Sequence, residues 1–236
     1  MDKRTLGSQR VDSVQQFAIF RGISPADCTS ILSAAHEKHF LRRQTVFFEG
    51  DSIQQILLLI SGAVKETQFG QNGAGVILRL SGPGDIVGTL GSCARADHCS
   101  TAHTLESSTM LAWDKPIFEA LSQRLPTLRR NTARILEERL QEMQERFREI
   151  ATEKVAPRLS SELVRLLHQV GRRVNGHVEI SLSREELAQL TGTTLFTVSR
   201  LLCQWEVRGI VSSRRETVLV RNLPALIELS VPNEIG

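Results

Sequence analysis

Apolar residues recur along this chain at two different periods, and the change of period divides it. From Phe40 to about Leu111 they come in short runs punctuated by glycine: Gln44 to Phe48, Ile56 to Ile60, Ala63 to Gln68, Val76 to Leu80 and Ser108 to Trp113. Short β-rich runs with turn residues between them predict a compact antiparallel roll. Gly50-Asp51, Gly62, Gly70, Gly73 and Gly84-Asp85 supply the turns. Ahead of the roll, Val14 to Phe20 predicts a short helix, and Ser24-Pro25 restarts one with serine as N-cap and proline at the first helical position. Ile31, Leu32 and Ala35 form its inward side.

After the roll the spacing becomes helical. Pro116 opens a helix to Gln123, and after Pro126 a long one runs to about Thr152. Within it Leu136, Leu140, Met143, Phe147 and Ile150 alternate by four and three, the spacing of a coiled-coil seam, with Ala133 extending it backwards. A helix packed on its own domain would also carry an apolar stripe. Here only about two heptads are apolar, and Glu137, Glu138, Arg139, Glu142, Glu145 and Arg146 clothe the rest in charge, which favours a seam between two copies. Ala156-Pro157 then marks a hinge. Arg158 to Val170 is an amphipathic helix with Leu159, Leu163, Leu166, Leu167 and Val170 inward, Asn175-Gly176 a tight hairpin turn, and Val178 to Leu182 a strand.

The stretch from Ser183 to Arg200 predicts two short helices broken at Gly192. Ser183 and Glu186 form a capping box. Leu187, Ala188 and Leu190 are apolar, and Gly192 falls where a Cβ would oppose the turn. Thr194 caps the second helix, whose Val198, Leu201, Leu202 and Trp205 make one buried stripe. Phe196, Ser199, Arg200 and Cys203 repeat that spacing on the solvent side, and with Thr194 and Thr197 they suit a DNA major groove. Arg184, at the start of the first helix, is a further candidate DNA contact. Gly209 ends the second helix, and Ile210-Val211 with Val218 to Val220 flank a two-stranded wing. Arg214 and Arg215 at the tip of this wing are placed for phosphates. The tail LPALIELSVP forms a short docking helix without an assigned role.

Composition narrows the class. A charged fraction of 23% and a hydrophobic fraction of 41% are those of a globular protein, which excludes disorder and fibres. The longest aliphatic run, Ile56 to Ile60, is far short of a membrane span, and MDKRTLGSQR holds no apolar signal core, so a cytoplasmic protein is expected. A net charge of +3 argues only weakly for a polyanionic partner. From residue 151 onward, however, ten of the eleven cations are arginine, the residue suited to bidentate contacts with guanine or phosphate. Cys28, Cys93, Cys99 and Cys203 are too few and scattered for a disulfide framework, so reduced thiols are the default.

The two-helix segment, the stretch EGDSIQQILLLISGAVK and the stretch GPGDIVGTLG occur in an order and spacing that resemble the cAMP receptor protein/FNR family of bacterial transcription regulators, over about residues 15 to 223. The resemblance implies an α+β chain in three parts. An N-terminal cyclic-nucleotide-binding-like antiparallel β-roll (14–124) is followed by a long dimerisation helix (125–154) and a C-terminal winged helix-turn-helix (155–236). It also implies that Leu136, Leu140, Met143, Phe147 and Ile150 form a dimer interface, and that double-stranded DNA is a partner, with RNA polymerase a candidate one and no membrane involved. Many members place glutamate, which accepts a hydrogen bond from cytosine, where Phe196 stands here.

The implied effector pocket comprises Gly88, Thr89, Leu90, Gly91, Cys99, Ser100, Met143 and Gln144. Members that bind cyclic AMP carry a glutamate for the ribose and an arginine for the phosphate where this chain has Thr89 and Cys99. Met143 and Gln144 replace the adenine-contacting hydroxyl residues. Gly88 to Gly91 at a helix start, with Ser100, could still cradle an anion, but without a counter-charge cyclic AMP is not the expected effector. The first 27 residues hold no cysteine, so an FNR-type iron–sulfur cluster is not expected either. Cys93, His98, Cys99 and His103 could ligate zinc or haem iron. Their C-x4-H-C-x3-H spacing matches no standard site, and solvated or hydrogen-bonded histidines with Cys99 as a small apolar filler are the stronger expectation. The effector is left open. Of the competing readings, a cupin-like enzyme lacks the H-x-H pair or nucleophile–base arrangement it needs, and an effector-binding β-roll module without DNA binding would leave Arg200, Arg214 and Arg215 unexplained.

Overall fold

A computed structural model of the protein describes residues 14–90, 97–174 and 177–231. They form two compact units, one of the described residues up to Gln68 with Ser81–Gln141, the other of Phe69–Leu80 with the described residues from Glu142 onward. Asn175 and Gly176 lie outside the described residues.

The first described residues, Val14 and Gln15, are helical, as expected, and a separate 3-10 turn, Ala18–Phe20, follows them in place of a continuous helix. Helix α1 (Pro25–Ser33) then starts as expected, Ser24 Oγ accepting the Asp27 amide at 3.1 Å. Of its expected inward side Ile31 is buried, whereas Leu32 and Ala35 are only partly so, and Cys28 takes a fully buried place beside Ile31. Eight strands follow, β1 (His36–Phe40), β2 (Thr45–Phe47), β3 (Gln55–Ser61), β4 (Val64–Phe69), β5 (Gly75–Ser81), β6 (Ile86–Val87), β7 (Thr101–Thr104) and β8 (Ser108–Asp114), of which β5 falls almost wholly in the second unit. In this unit they make an antiparallel sheet in the order β1-β8-β3-β6 and a second with the order β2-β7-β4.

The uninterrupted apolar run of β3 is explained by burial on both faces. Leu57 and Leu59 join Met110, Ala112, Phe47, Val64 and Ala102 in a core between the two sheets. Ile56 and Leu58 face the other way, with Leu111 and Trp113, onto a core shared with Ile31, Phe118 and Leu128 from the helices. Those helices are α1, α2 (Lys115–Arg124) and the first part of α3 (Pro126–Thr152). Trp113 Nε1 donates to the Ile31 carbonyl at 2.8 Å, and buried Asn131 of α3 donates to the carbonyls of Ile19 and Arg21.

The second unit holds the end of α3, then α4 (Val155–Gln169), β9 (Arg172–Val174), β10 (His177–Ile180), α5 (Arg184–Thr191), α6 (Leu195–Val207), β11 (Val211–Arg214), β12 (Thr217–Val220) and α7 (Leu223–Ser230). The chain breaks at Glu153–Lys154 and not at the expected Ala156-Pro157, because proline is tolerated in a first helical turn, where its missing amide has no helical acceptor. The strands form one sheet in the order β11-β12-β10-β9. The tail is helical as expected, capped by Asn222, and α7 packs on α4 through Leu226, whose carbonyl accepts from the Ser160 hydroxyl.

Arg139 and Arg146 depart from their expected place as solvated charge. In the first unit Arg139 donates to the carbonyls of Gly88, at 2.9 Å, and Ile86. In the second, Arg146 donates to the carbonyls of Leu78 at 2.8 Å and Leu190 at 3.0 Å. Both long side chains bend off the helix to serve main-chain acceptors.

Candidate nucleic-acid interface and effector pocket

Helices α5 and α6 are set by local caps. The Glu186 amide donates to Ser183 Oγ at 3.2 Å while the Ser183 amide donates to the Glu186 carboxylate at 2.8 Å, closing the capping box. Gly192 ends α5 at φ 60°, ψ 44°, the left-handed turn that a Cβ would strain, and Thr194 Oγ1 accepts the Thr197 amide at 3.2 Å to start α6. Val198, Leu201, Leu202 and Trp205 are buried. That orientation forces the opposite face outward. Phe196 is 78% exposed, Arg200, Cys203 and Thr194 are exposed, and Ser199 and Thr197 are half-buried.

Past α6, Gly209 at φ 69° reverses the chain into the wing, and Glu206 accepts from the Ser213 amide at 3.2 Å, tying β11 to the helix. Arg214 and Arg215 are exposed at the β11–β12 turn. Arg184 is half-buried, its guanidinium 3.3 Å from the Ser213 hydroxyl, so α5 and the wing hold each other.

The glycine cassette lies in the first unit. Gly88 adopts φ +80°, and a Cβ there would come within 2.6 Å of the Phe47 ring and 3.1 Å of the His98 ring. These rings are stacked at 3.6 Å and 8°. Ser100 is buried, Leu90 is buried and Thr89 half-buried. Gly91 and Cys93 lie outside the described residues, so the helix start expected there does too. Met143 and Gln144 belong to the second unit and are exposed.

Two expectations at this site are corrected. Cys99 is exposed and fills no core, lying in a bend between the buried His98 and Ser100. His98 is neither solvated nor fully hydrogen-bonded: it is buried against Phe47, and its Nδ1 has no partner among the described residues. No group of three or more His, Cys, Asp or Glu that could hold a metal occurs among the described residues.

Burial keeps the His98 ring below the ordinary histidine range, partly offset by the carboxylates of Glu66, Asp51 and Asp97. The unfolded chain therefore takes up this proton more readily than the folded one. The stability involved is present above the ordinary value of about 6.5 and is lost as pH falls through it. His98→Phe keeps a ring on Phe47 without the titration, so its melting temperature should fall less than the wild type's between about pH 7 and pH 5. Equal acid slopes in scanning calorimetry would refute this.

One residue bonded to Gly88 was missed in the sequence. Glu66 on β4 is buried, and the available signal was period two: Val64 and Glu66 share a face, and Val64 is core.

An antiparallel roll with a glycine cassette, joined through a long helix to a winged helix-turn-helix, defines a DNA-binding regulator with a sensor domain. Proteins of similar sequence and fold belong to that class. The Cyclic nucleotide-binding domain family matches residues 37–124 and the Crp-like helix-turn-helix domain family residues 157–229. The chain is 28% identical to the Cyclic AMP receptor protein of Thermus thermophilus, across 90% of this chain and 96% of that one. It is 26% identical to the CRP-like cAMP-activated global transcriptional regulator of Mycobacterium tuberculosis, across 86% and 91%. The solved structure of FixK2 from Bradyrhizobium japonicum shares the fold at a TM-score of 0.73 and 20% identity, covering 84% of this chain and 98% of that one. The chain belongs to the cAMP receptor protein/FNR family of bacterial transcription regulators and is a DNA-binding regulator of that type. No helix among its described residues is long and apolar enough to cross a membrane.

Proposed function

We propose that the protein works in the cytoplasm as a homodimer on an inverted-repeat operator, with α6 in the major groove and a signal other than cyclic AMP acting at the cassette. The observation that carries this is the outward face of α6, where Phe196 and Arg200 stand one turn apart, opposite a fully buried stripe. Arg200 is in position to read guanine O6 and N7. Phe196 has no acceptor for a cytosine amino group but can press on a thymine methyl, so the half-site has no demand for cytosine there and favours thymine. Arg214 and Arg215 on the wing hold phosphates, and Arg184, braced by Ser213, positions α5 against the backbone. Two-fold symmetry sets the half-site centres roughly 34 Å apart. RNA polymerase is the partner through which bound dimers act on transcription. Thr89 and the exposed Cys99 offer a cyclic phosphate no cation, which is why cyclic AMP is set aside.

Selection from random duplexes tests the interface. The enriched motif should be palindromic with one guanine per half-site. Arg200→Ala should cost about 1–3 kcal/mol per half-site and relax selection at that guanine. Arg214→Ala should weaken all sequences alike and flatten the salt dependence. A motif without two-fold symmetry, or one unchanged by Arg200→Ala, would sink the proposal.

A further inference from the structure

The cluster around Gly88 contains a charge that the regulatory reading leaves unused. Glu66 is 7% exposed, and both of its carboxylate oxygens are engaged. The Gly88 amide donates to Oε1 at 3.0 Å and the Ser100 hydroxyl to Oε2 at 3.1 Å. A main-chain amide and a hydroxyl converging on two oxygens of one acid is the way a cradle grips a phosphate or carboxylate. Here the acid belongs to the chain itself.

The surroundings hold that arrangement in place. Gly88 cannot retreat, because its left-handed backbone lies against the Phe47–His98 stack, and its carbonyl is bonded by Arg139 from α3. Glu66 is fixed in turn by its strand, paired across from Ala102 of β7. A phosphate entering between Gly88 and Ser100 would have to displace the carboxylate from both donors or share them with it. Sharing sets two like charges a few ångströms apart in a site largely shut off from water, where screening is weak.

We propose that Glu66 is a tethered anion occupying the cradle of Gly88 and Ser100, which makes it the residue that excludes phosphate-bearing effectors from the sensor pocket. This rests on the assignment of Gly88 to Ser100 as the effector cassette. The effector class is thereby narrowed to molecules that bring no anion to this point. It also accounts for a family member that keeps the glycine and serine of the cassette while carrying threonine and cysteine where charge is expected: the donors are retained for an internal partner.

The test uses the full chain, with inorganic phosphate and cyclic AMP as separate calorimetric probes in the absence of DNA and an operator duplex added only to read operator affinity. Wild type should give no saturable heat with either. Glu66→Ser empties the cradle and should bind phosphate at least tenfold more tightly than wild type. Glu66→Gln keeps the cradle filled and should stay silent. Wild-type phosphate binding equal to that of Glu66→Ser, or a folded Glu66→Ser that binds none, overturns the proposal. Should Glu66→Ser fail to fold, the Gly88 amide proton in wild type and Glu66→Gln decides. It should lie downfield in wild type, where its acceptor is charged, and stay unmoved by added phosphate. An equal shift in the two proteins, or movement on adding phosphate, overturns the proposal. If Glu66→Ser binds phosphate but its operator affinity ignores that binding, the tethered anion stands and the assignment of the cassette as effector pocket falls.

Discussion

Leu140→Glu combined with Phe147→Glu is expected to convert the protein to a monomer and to remove high-affinity operator binding. Along α3 the side chains of Leu136, Leu140, Met143, Phe147 and Ile150 are all exposed, Phe147 to 74%, and they recur by four and three on one side of the helix. The opposite side is already occupied: Leu128, Asn131, Thr132 and Ile135 are buried in the first unit and Glu149 in the second. The proposed second copy would cover this row. Losing one leucine and one phenylalanine forfeits about 2–3 kcal/mol of burial each. Two-fold symmetry doubles the loss, and the new carboxylates face each other across the seam. A loss on the order of 8–12 kcal/mol moves a nanomolar dimer into the millimolar range or beyond. Glutamate is a good helix former, so circular dichroism should show the helix intact. Light scattering reports the mass, and a dimer of unchanged mass would refute the seam.

The second large effect is expected inside the DNA-binding unit. Arg158 is 6% exposed and serves two helix ends at once. Its Nε donates to the Thr191 carbonyl at the end of α5 at 2.7 Å, and its Nη1 donates to the carbonyls of Glu153 at 3.0 Å and Ile150 at 3.4 Å at the end of α3. Helix C-termini carry partial negative charge and carbonyls without helical partners, so one guanidinium answers both needs. Arg158→Met keeps the length and loses the donors. With buried carbonyls left unpaired, the cost should be about 3–5 kcal/mol, a large share of a domain's stability. Hydrogen exchange of the α5–α6 peptides, compared with peptides of β3 and β8 as an internal reference, measures it. A loss of protection worth less than about 1 kcal/mol would show that water replaces the arginine.

The division between what was legible and what was not follows the range of each interaction. Ser24, the Ser183–Glu186 box, Thr194, Pro126 and Gly192 act within three or four residues of themselves, so residue type and spacing were enough to place the helix ends they govern. The stripe of α6 and the apolar row of α3 were legible for the same reason: helical period states which face is apolar. It does not state what covers that face.

Strand β1, HEKHF, escaped notice because it is largely exposed and is held by pairing with β8, some seventy residues away, and not by any apolar alternation of its own. Strands β6 and β7 are short and held mainly by their neighbours. Charged side chains were the least legible. Glu66, Arg139, Arg146 and Arg158 look like surface residues in the sequence, because a charge is ordinarily solvated unless a partner is brought to it. Their partners are main-chain amides and carbonyls, which no residue type announces: Gly88 for Glu66 and Arg139, Leu78 and Leu190 for Arg146, Thr191 and Glu153 for Arg158. The sequence by itself therefore determined the two architectures and the outward face of α6. Only the tertiary structure decided which charges were turned inward, because folding alone brings a buried charge to the backbone groups that satisfy it.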